Sequence, residues 1–224
     1  MESFQRARSE EQREIRRRVI LETAAAMLEE MPVGEVSLNE LSRRVGLAKS
    51  NVLRYFESRE AILLELLDHA WKQWMTDLPE QLSKGVGARV PLNERAEQFA
   101  AVLTDSLSGR RVLCDLLSSQ AGVLEHNVSP EVAARYKRAA VANVDALATL
   151  ARSYLPKLGD RAPELAAAMI MVIGAVWTHA RPSKAMVTAY EADPDLAVLR
   201  MDFASSLRQV LATLTAGTLA RASS

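Results

Sequence analysis

The stretch Ser37-Leu38-Asn39-Glu40-Leu41-Ser42-Arg43-Arg44-Val45-Gly46-Leu47-Ala48-Lys49-Ser50-Asn51-Val52-Leu53-Arg54-Tyr55-Phe56 decides how this chain is read. It opens on a capping-box sequence: the Ser37 hydroxyl can accept from the Glu40 amide while the Glu40 carboxylate reaches back to the Ser37 amide, so a helix begins there. Leu38, Leu41 and Val45 share one face of that helix, and Gly46 can take the left-handed conformation that closes it without a Cβ penalty. After one turn a second short helix is expected over about Ala48 to Phe56. It turns Val52 and Phe56 inward and leaves Lys49, Ser50, Asn51, Arg54 and Tyr55 outward. Glu57 and Ser58 break it.

Two short helices around a glycine turn have a physical use. The first lies across a DNA backbone while the second carries its side chains into the major groove. The outward residues of the second helix are the hydrogen-bonding and cationic types that such a groove requires. Arg16, Arg17, Arg18, Arg43, Arg44 and Arg59 flank the unit and are placed to meet phosphates.

Working outward, a first helix is expected from Arg13 to about Met31, with Ile15, Val19, Ile20, Ala24, Met27, Leu28 and Met31 on its apolar side. Pro32 and Gly34 end it, and residues 1–12 read as a flexible arm. On the other flank Ser58 caps a fourth helix in which Ile62, Leu63, Leu66, Leu67, Ala70 and Trp74 recur at helical spacing, ending near Pro79. Pro79 to Pro91, with Gly85 and Gly87, reads as a loop between layers. Five further helices are expected at about 93–108, 110–125, 130–154, 163–180 and 195–217, the last with an apolar stripe of Leu196, Leu199, Phe203, Leu207, Val210 and Leu214. The chain thus divides into an arm (1–12), a helix-turn-helix domain (13–57), a connecting helix (58–78) and a larger helical domain (79–224).

Composition agrees with an all-α fold. The 224 residues are 49% apolar, enough for a real core, and rich in Ala, Leu, Arg and Glu, which lose little freedom in helices. Net charge argues nothing: 28 basic residues balance 28 acidic ones, and the first sixty residues hold eleven of each. Only the placement of cations on one face bears on DNA binding. The single cysteine, Cys114, rules out an intrachain disulfide and a multi-cysteine metal site, as suits a reducing cytosol. The charged start lacks the apolar core of an export signal. The longest apolar run, Ala166 to Trp177, falls short of the ~20 residues of a membrane span, so a cytoplasmic protein without a membrane partner is expected.

From Ser37 to Leu63 the sequence resembles the DNA-binding domain of the TetR family of bacterial regulators. That family's pattern runs from a Thr/Ser cap through A-G-V-S-x-x-x-L-Y-x-H-F to an N-x-K/R-x-x-L helix start. Ser37, Gly46, Leu47, Val52, Tyr55, Phe56, Ser58-Arg59-Glu60 and Leu63 match it. Ala48, in place of a small hydroxyl residue, and Leu53, in place of a common tyrosine, depart from it. The resemblance implies an N-terminal three-helix helix-turn-helix domain and a C-terminal helical domain for ligand binding and dimerisation. It implies phosphate contacts from Ser37 and Arg59, with Arg43 and Arg44 alongside, and base or backbone contacts from Lys49, Ser50, Asn51, Arg54 and Tyr55. Asn51 is the candidate for a base edge, since Asn pairs bidentately with adenine.

The resemblance further implies a homodimer on a palindromic operator, double-stranded DNA and a small-molecule effector as partners, repression as the mode, and residence on the nucleoid when DNA is bound. Trp71, Trp74, Phe99, Cys114, Met169 and Trp177 are candidates to line an effector cavity, with Met171 and His179 nearby. Aromatic faces close to Asp115 or Glu125 would suit a lipophilic cation. The small residues of 163–180 (Ala166, Ala167, Ala168, Gly174 and Ala175) would admit a close helix partner.

Two other classes compete. An enzyme finds no support in motifs: His69, His126 and His179 are scattered, and neither a zinc-binding H-E-x-x-H nor a phosphate loop is present, so no metal or cofactor is expected. A redox-responsive regulator acting through Cys114, or a helical adaptor without DNA binding, would differ in response to peroxide or in failing to bind DNA at all.

Overall fold

The computed structural model describes residues 2–222; Met1, Ser223 and Ser224 lie outside it. Eleven α-helices and no strand occur among the described residues. Helix α1 spans Glu2–Glu30, so the segment expected as an arm is helical from Glu2 on, because nothing in it interrupts a helix. The inward row of α1 begins later than its periodicity suggests: Ile20, Ala24, Met27 and Leu28 are fully buried, whereas Ile15 is 47% exposed.

A 3-10 turn, Val33–Glu35, leads to α2 (Leu38–Val45) and α3 (Lys49–Val52). Helix α3 is shorter than the expected 48–56, but its exit keeps helical hydrogen bonds: the Leu53 amide donates to the Lys49 carbonyl (3.0 Å) and the Phe56 amide to the Val52 carbonyl (3.2 Å). Leu41, Val52, Phe56 and Ile62 close a small core against α1.

Helix α4, Arg59–Gly85, runs straight through the position where a loop was expected. Pro79 removes one backbone hydrogen bond and costs a helix interior about 3 kcal/mol. Leu78 and Leu82 on either side of it are fully buried, and burying each is worth about 1.5–3 kcal/mol, which offsets that loss. The helix ends at Gly85, where a Cβ would lie 2.4 Å from a Val102 methyl of the next helix. The layer connection is therefore only residues 86–91.

The remaining helices are α5 (Leu92–Ser108), α6 (Arg111–Ser119, continued by a π turn Gln120–Leu124), α7 (Pro130–Tyr154), α8 (Ala162–His179, entered by a 3-10 segment Pro156–Arg161), α9 (Lys184–Ala192), α10 (Pro194–Ala197) and α11 (Phe203–Ala222). By length and composition the stretch Pro156–His179 would pass for a membrane span, with a mean hydropathy of 1.3. In the fold it is the central helix of the larger domain. Leu165, Ala166, Met169 and Ile173 are buried, and α8 packs on α6, α7 and α11.

The last helix starts eight residues later than its periodicity predicts. Asp202 caps it, accepting from the Ser205 amide at 2.8 Å, and Asp193 caps the separate short turn of α10. Leu196 and Leu199, read as part of the stripe, are 40% and 64% exposed. Of that stripe Phe203, Leu207 and Leu214 are kept and, with Leu211, which the expected stripe did not include and which takes the core place expected of Val210, they pack α11 against α5 and α8.

Candidate nucleic-acid interface

The turn between α2 and α3 is built by three local devices. The Ser37 hydroxyl accepts from the Glu40 amide at 3.1 Å, capping α2. The return bond of the capping box is not made: the Glu40 carboxylate turns to Arg43 (2.9 and 2.6 Å) and to Arg44 (2.9 Å). Those hydrogen bonds, Arg43 first and Arg44 second, hold the Glu40 carboxyl down to about 2. Gly46 takes φ 72°, ψ 28°, the left-handed conformation its position requires, and the Leu47 amide donates back to the Ser42 carbonyl at 3.0 Å. Beyond α3 the Ser58 hydroxyl caps α4 by accepting from the Ala61 amide at 3.1 Å.

Val52 and Phe56 anchor α3 to the core and fix which side chains face out. Lys49, Ser50, Asn51 and Arg54 are exposed, Leu53 is 40% exposed beside them, and Tyr55 is half-buried. These are the expected reading positions, brought together on one surface.

The flanking arginines divide. Arg43 stays largely exposed beside Glu40. Arg44 is held between Glu30 (2.7 Å) and Glu40. Arg59 is drawn into the fold, donating to the Val33 carbonyl and pairing with Glu60 at 3.2 Å. Arg17 is the most engaged: it donates to the Tyr55 carbonyl (2.6 Å), grips the Glu65 carboxylate with one nitrogen (2.7 and 2.5 Å) and lies 4.2 Å over the Phe56 ring. Arg17 thus ties the exit of α3 to α4, a role that sequence spacing did not reveal because its partners are 38 and 48 residues away. A second tie joins the two domains: the Glu57 carboxylate accepts from the Ser129 amide at 2.6 Å, at the start of α7.

The chain matches the family model "Bacterial regulatory proteins, tetR family" over residues 20–66 and "Tetracyclin repressor-like, C-terminal domain" over residues 68–222. The chain belongs to the TetR family. Its members are DNA-binding transcriptional regulators rather than enzymes, and the helix-turn-helix is the DNA-binding domain. Over 54 residues it is 39% identical to the HTH-type transcriptional regulator EthR of Mycobacterium tuberculosis, a match spanning 24% of this chain and 25% of EthR; EthR of Mycobacterium bovis gives the same figures. A TetR-family transcriptional regulator from Streptomyces coelicolor shares the fold at a TM-score of 0.51 and 16% identity, covering 93% of this chain and 82% of that one.

The aromatic candidates of the TetR-type C-terminal domain gather where α4, α5, α6 and α8 pack. Trp71 and Trp74 meet edge to face at 4.9 Å, and Trp74 donates to the Ser106 hydroxyl at 2.9 Å. Trp177 donates to one Asp115 oxygen at 2.8 Å and stacks edge-on against Phe203. Phe99, Cys114 and Met169 are buried among them, Cys114 with its thiol on the Leu107 carbonyl at 3.7 Å. Met171 and His179 point outward instead, since α8 turns those positions away from the core. Glu125 is taken by Lys137 and Gln120. Of the buried side-chain polar atoms left without a hydrogen-bond partner among the described residues, two belong to this cluster: the Trp71 indole nitrogen and the second Asp115 oxygen.

Gly174 has a role that lies inside the chain. A Cβ there would meet the Leu117 carbonyl oxygen at 2.9 Å, so the close approach expected of the small residues is made, at this position, to α6 of the same chain.

Proposed function

We propose that this TetR-family regulator is a dimeric repressor that holds a palindromic operator through Lys49, Ser50, Asn51, Arg54 and Tyr55 and is released by a small lipophilic molecule, cations favoured. The observation that carries the reading is the row of exposed hydrogen-bonding side chains on α3, held outward by Val52 and Phe56. Ser37 and Arg43 lie at the α2 edge for phosphates, whereas Arg44 and Arg59 act chiefly by fixing the unit.

The dimer is supported by an outer face of α8, Met171 (69% exposed), Ala175 and Thr178, that no helix of its own chain covers, and by exposed Val198 and Leu199 in the segment joining α8 to α11. The effector is supported by the unpaired Trp71 nitrogen and Asp115 oxygen, each costly to bury without a partner. The aromatic cluster is closed by its own side chains, so an effector would bind the conformation in which they part, and its differential affinity would set the response. Helix α4 carries Trp71 and Trp74 at one level and the Ser58 cap beside α3 at another, which makes it the transmitting element. A redox reading through Cys114 is disfavoured: burial, then the neighbouring Asp115 charge, pushes the thiol up to about 12, where it is protonated and unreactive.

The test is a gel shift with the region upstream of its own gene. Wild-type protein is expected to retard it, Asn51→Ala with Arg54→Ala to lose sequence preference by about 1–3 kcal/mol per base contact, and lipophilic cations to release the complex. Undiminished binding by the double variant would refute the assignment of the readers.

A further inference from the structure

Beside the exit of α3 lies a cleft of about 740 Å³ lined by Gln12, Arg13, Ile15, Arg16, Arg54 and Tyr55. Three of its six lining residues are guanidiniums and none is a carboxylate. The neighbouring cleft, which shares Arg13 and Tyr55 with it, is mixed in charge: Glu10, Glu14, Glu57, Glu65 and Asp68 stand there with Arg17, Lys72 and Arg135. What sets the first cleft apart is that its cations have no carboxylate among the lining residues, a local excess that the balanced charge of the first sixty residues conceals.

The arginines of the basic cleft differ from their neighbours in being free. Arg17, Arg43, Arg44 and Arg59 all pair with carboxylates of the fold. Among the described residues, no carboxylate lies within ion-pair distance of Arg13, Arg16 or Arg54, and Arg13 and Arg16 are fully on the surface at i, i+3 on α1. Three uncompensated cations around a concavity repel one another unless an anion sits between them. Arg54 belongs to the same exposed surface as Lys49 and Asn51, so the anion nearest to hand when α3 enters a groove is the phosphodiester backbone at its edge.

We infer that Arg13 and Arg16 of α1, with Arg54, form a phosphate clamp that seats α1 on the DNA backbone next to the groove read by α3. The clamp rests on the DNA-binding reading above and adds to it a sequence-independent hold from a helix outside the helix-turn-helix. Tyr55 also lines the cleft, its carbonyl held by Arg17.

The test is fluorescence anisotropy with a labelled duplex of arbitrary sequence, about 30 base pairs long, titrated between about 50 and 200 mM salt. Arg13→Ala with Arg16→Ala is expected to lower the slope of log K against log salt by about 1.8 per protomer and to weaken binding tenfold or more at ~100 mM salt. Arg13→Lys with Arg16→Lys should restore the slope, and Arg89→Ala, exposed in the 86–91 connection and outside the cleft, should leave it nearly unchanged. Both arginines are solvated, so circular dichroism melting should be unaffected. An unchanged slope in the double alanine variant, or an equal loss per residue from Arg89→Ala, overturns the clamp.

Inorganic phosphate separates the two sources of the same chemistry. Thermal stabilisation of wild type by millimolar phosphate, abolished in the double variant while the DNA slope stays put, would assign the cleft to a free anion and overturn the proposal. If Arg54→Ala weakens binding and the α1 variants do not, only the clamp falls. If wild type binds no duplex, the DNA reading falls with it.

Discussion

At the scale of single residues, the number of arginines near the helix-turn-helix matters less than which of them have spare hydrogen-bonding capacity. Arg17 and Arg59 look in sequence like phosphate ligands and in the fold are braces, spent on Glu65, the Tyr55 carbonyl and the Val33 carbonyl. Cys114 shows the same logic with a proton. The folded thiol holds its proton more tightly than an unfolded one, whose ordinary value is 9.0. Its contribution to stability is therefore intact below pH 9 and is lost as the pH rises towards 12. Denaturant titrations of wild type and Cys114→Ala should accordingly converge above pH 9. At neutral pH, iodoacetamide should label the native thiol at least a hundredfold more slowly than the unfolded one, as a thiolate-poor buried cysteine requires; rapid native labelling would reopen the redox reading.

At the scale of elements, the helix-turn-helix was legible because its signals are local: a Ser37 cap three residues before Glu40, a glycine at the one turn that needs positive φ, and inward positions at helical spacing. What escaped was settled by packing. Pro79 and Gly85 read as loop residues, yet burial of Leu78 and Leu82 carries α4 past the proline. Leu196 and Leu199 fit the period of the last helix, yet Asp202 caps it later and leaves them in solvent. The six aromatic and sulfur candidates are all buried, as their apolar character predicts, but whether they enclose space depends on rotamers that no periodicity specifies. Helix α8 offers its own prediction. Met171 sits on the uncovered face, so Met171→Glu should leave the monomer fold intact and place a charge in the proposed two-fold contact. Sedimentation or light scattering at micromolar concentration should then give a dimer for wild type and a mass shifted towards monomer for the variant; identical masses would move the contact elsewhere.

At the scale of the whole molecule, a two-fold pair would set the recognition helices ~34–36 Å apart or at a multiple of it, and repression would turn on keeping that spacing. Each reading head is fastened to its own body by two polar ties on different elements, Arg17 to Glu65 and Glu57 to the Ser129 amide. The body itself is not uniformly deformable. At Gly174 the backbone of α8 rests against the Leu117 carbonyl and Ser118 of α6, with no side chain between them. A joint of that kind has no play: side chains that elsewhere absorb small displacements by changing rotamer are missing, so α6 and α8 must travel as one piece. Any strain an effector introduced would then pass from α6 to its partners at the reading head, α4 and, directly, α1 and the Val33–Glu35 turn. Gly174→Ala would wedge this joint open at an overpacking cost of about 1–3 kcal/mol, and calorimetry should show that loss. Its sharper signature would be an altered effector response with DNA affinity in the absence of effector kept, the mark of a transmission whose stiffness, rather than whose contacts, has been changed.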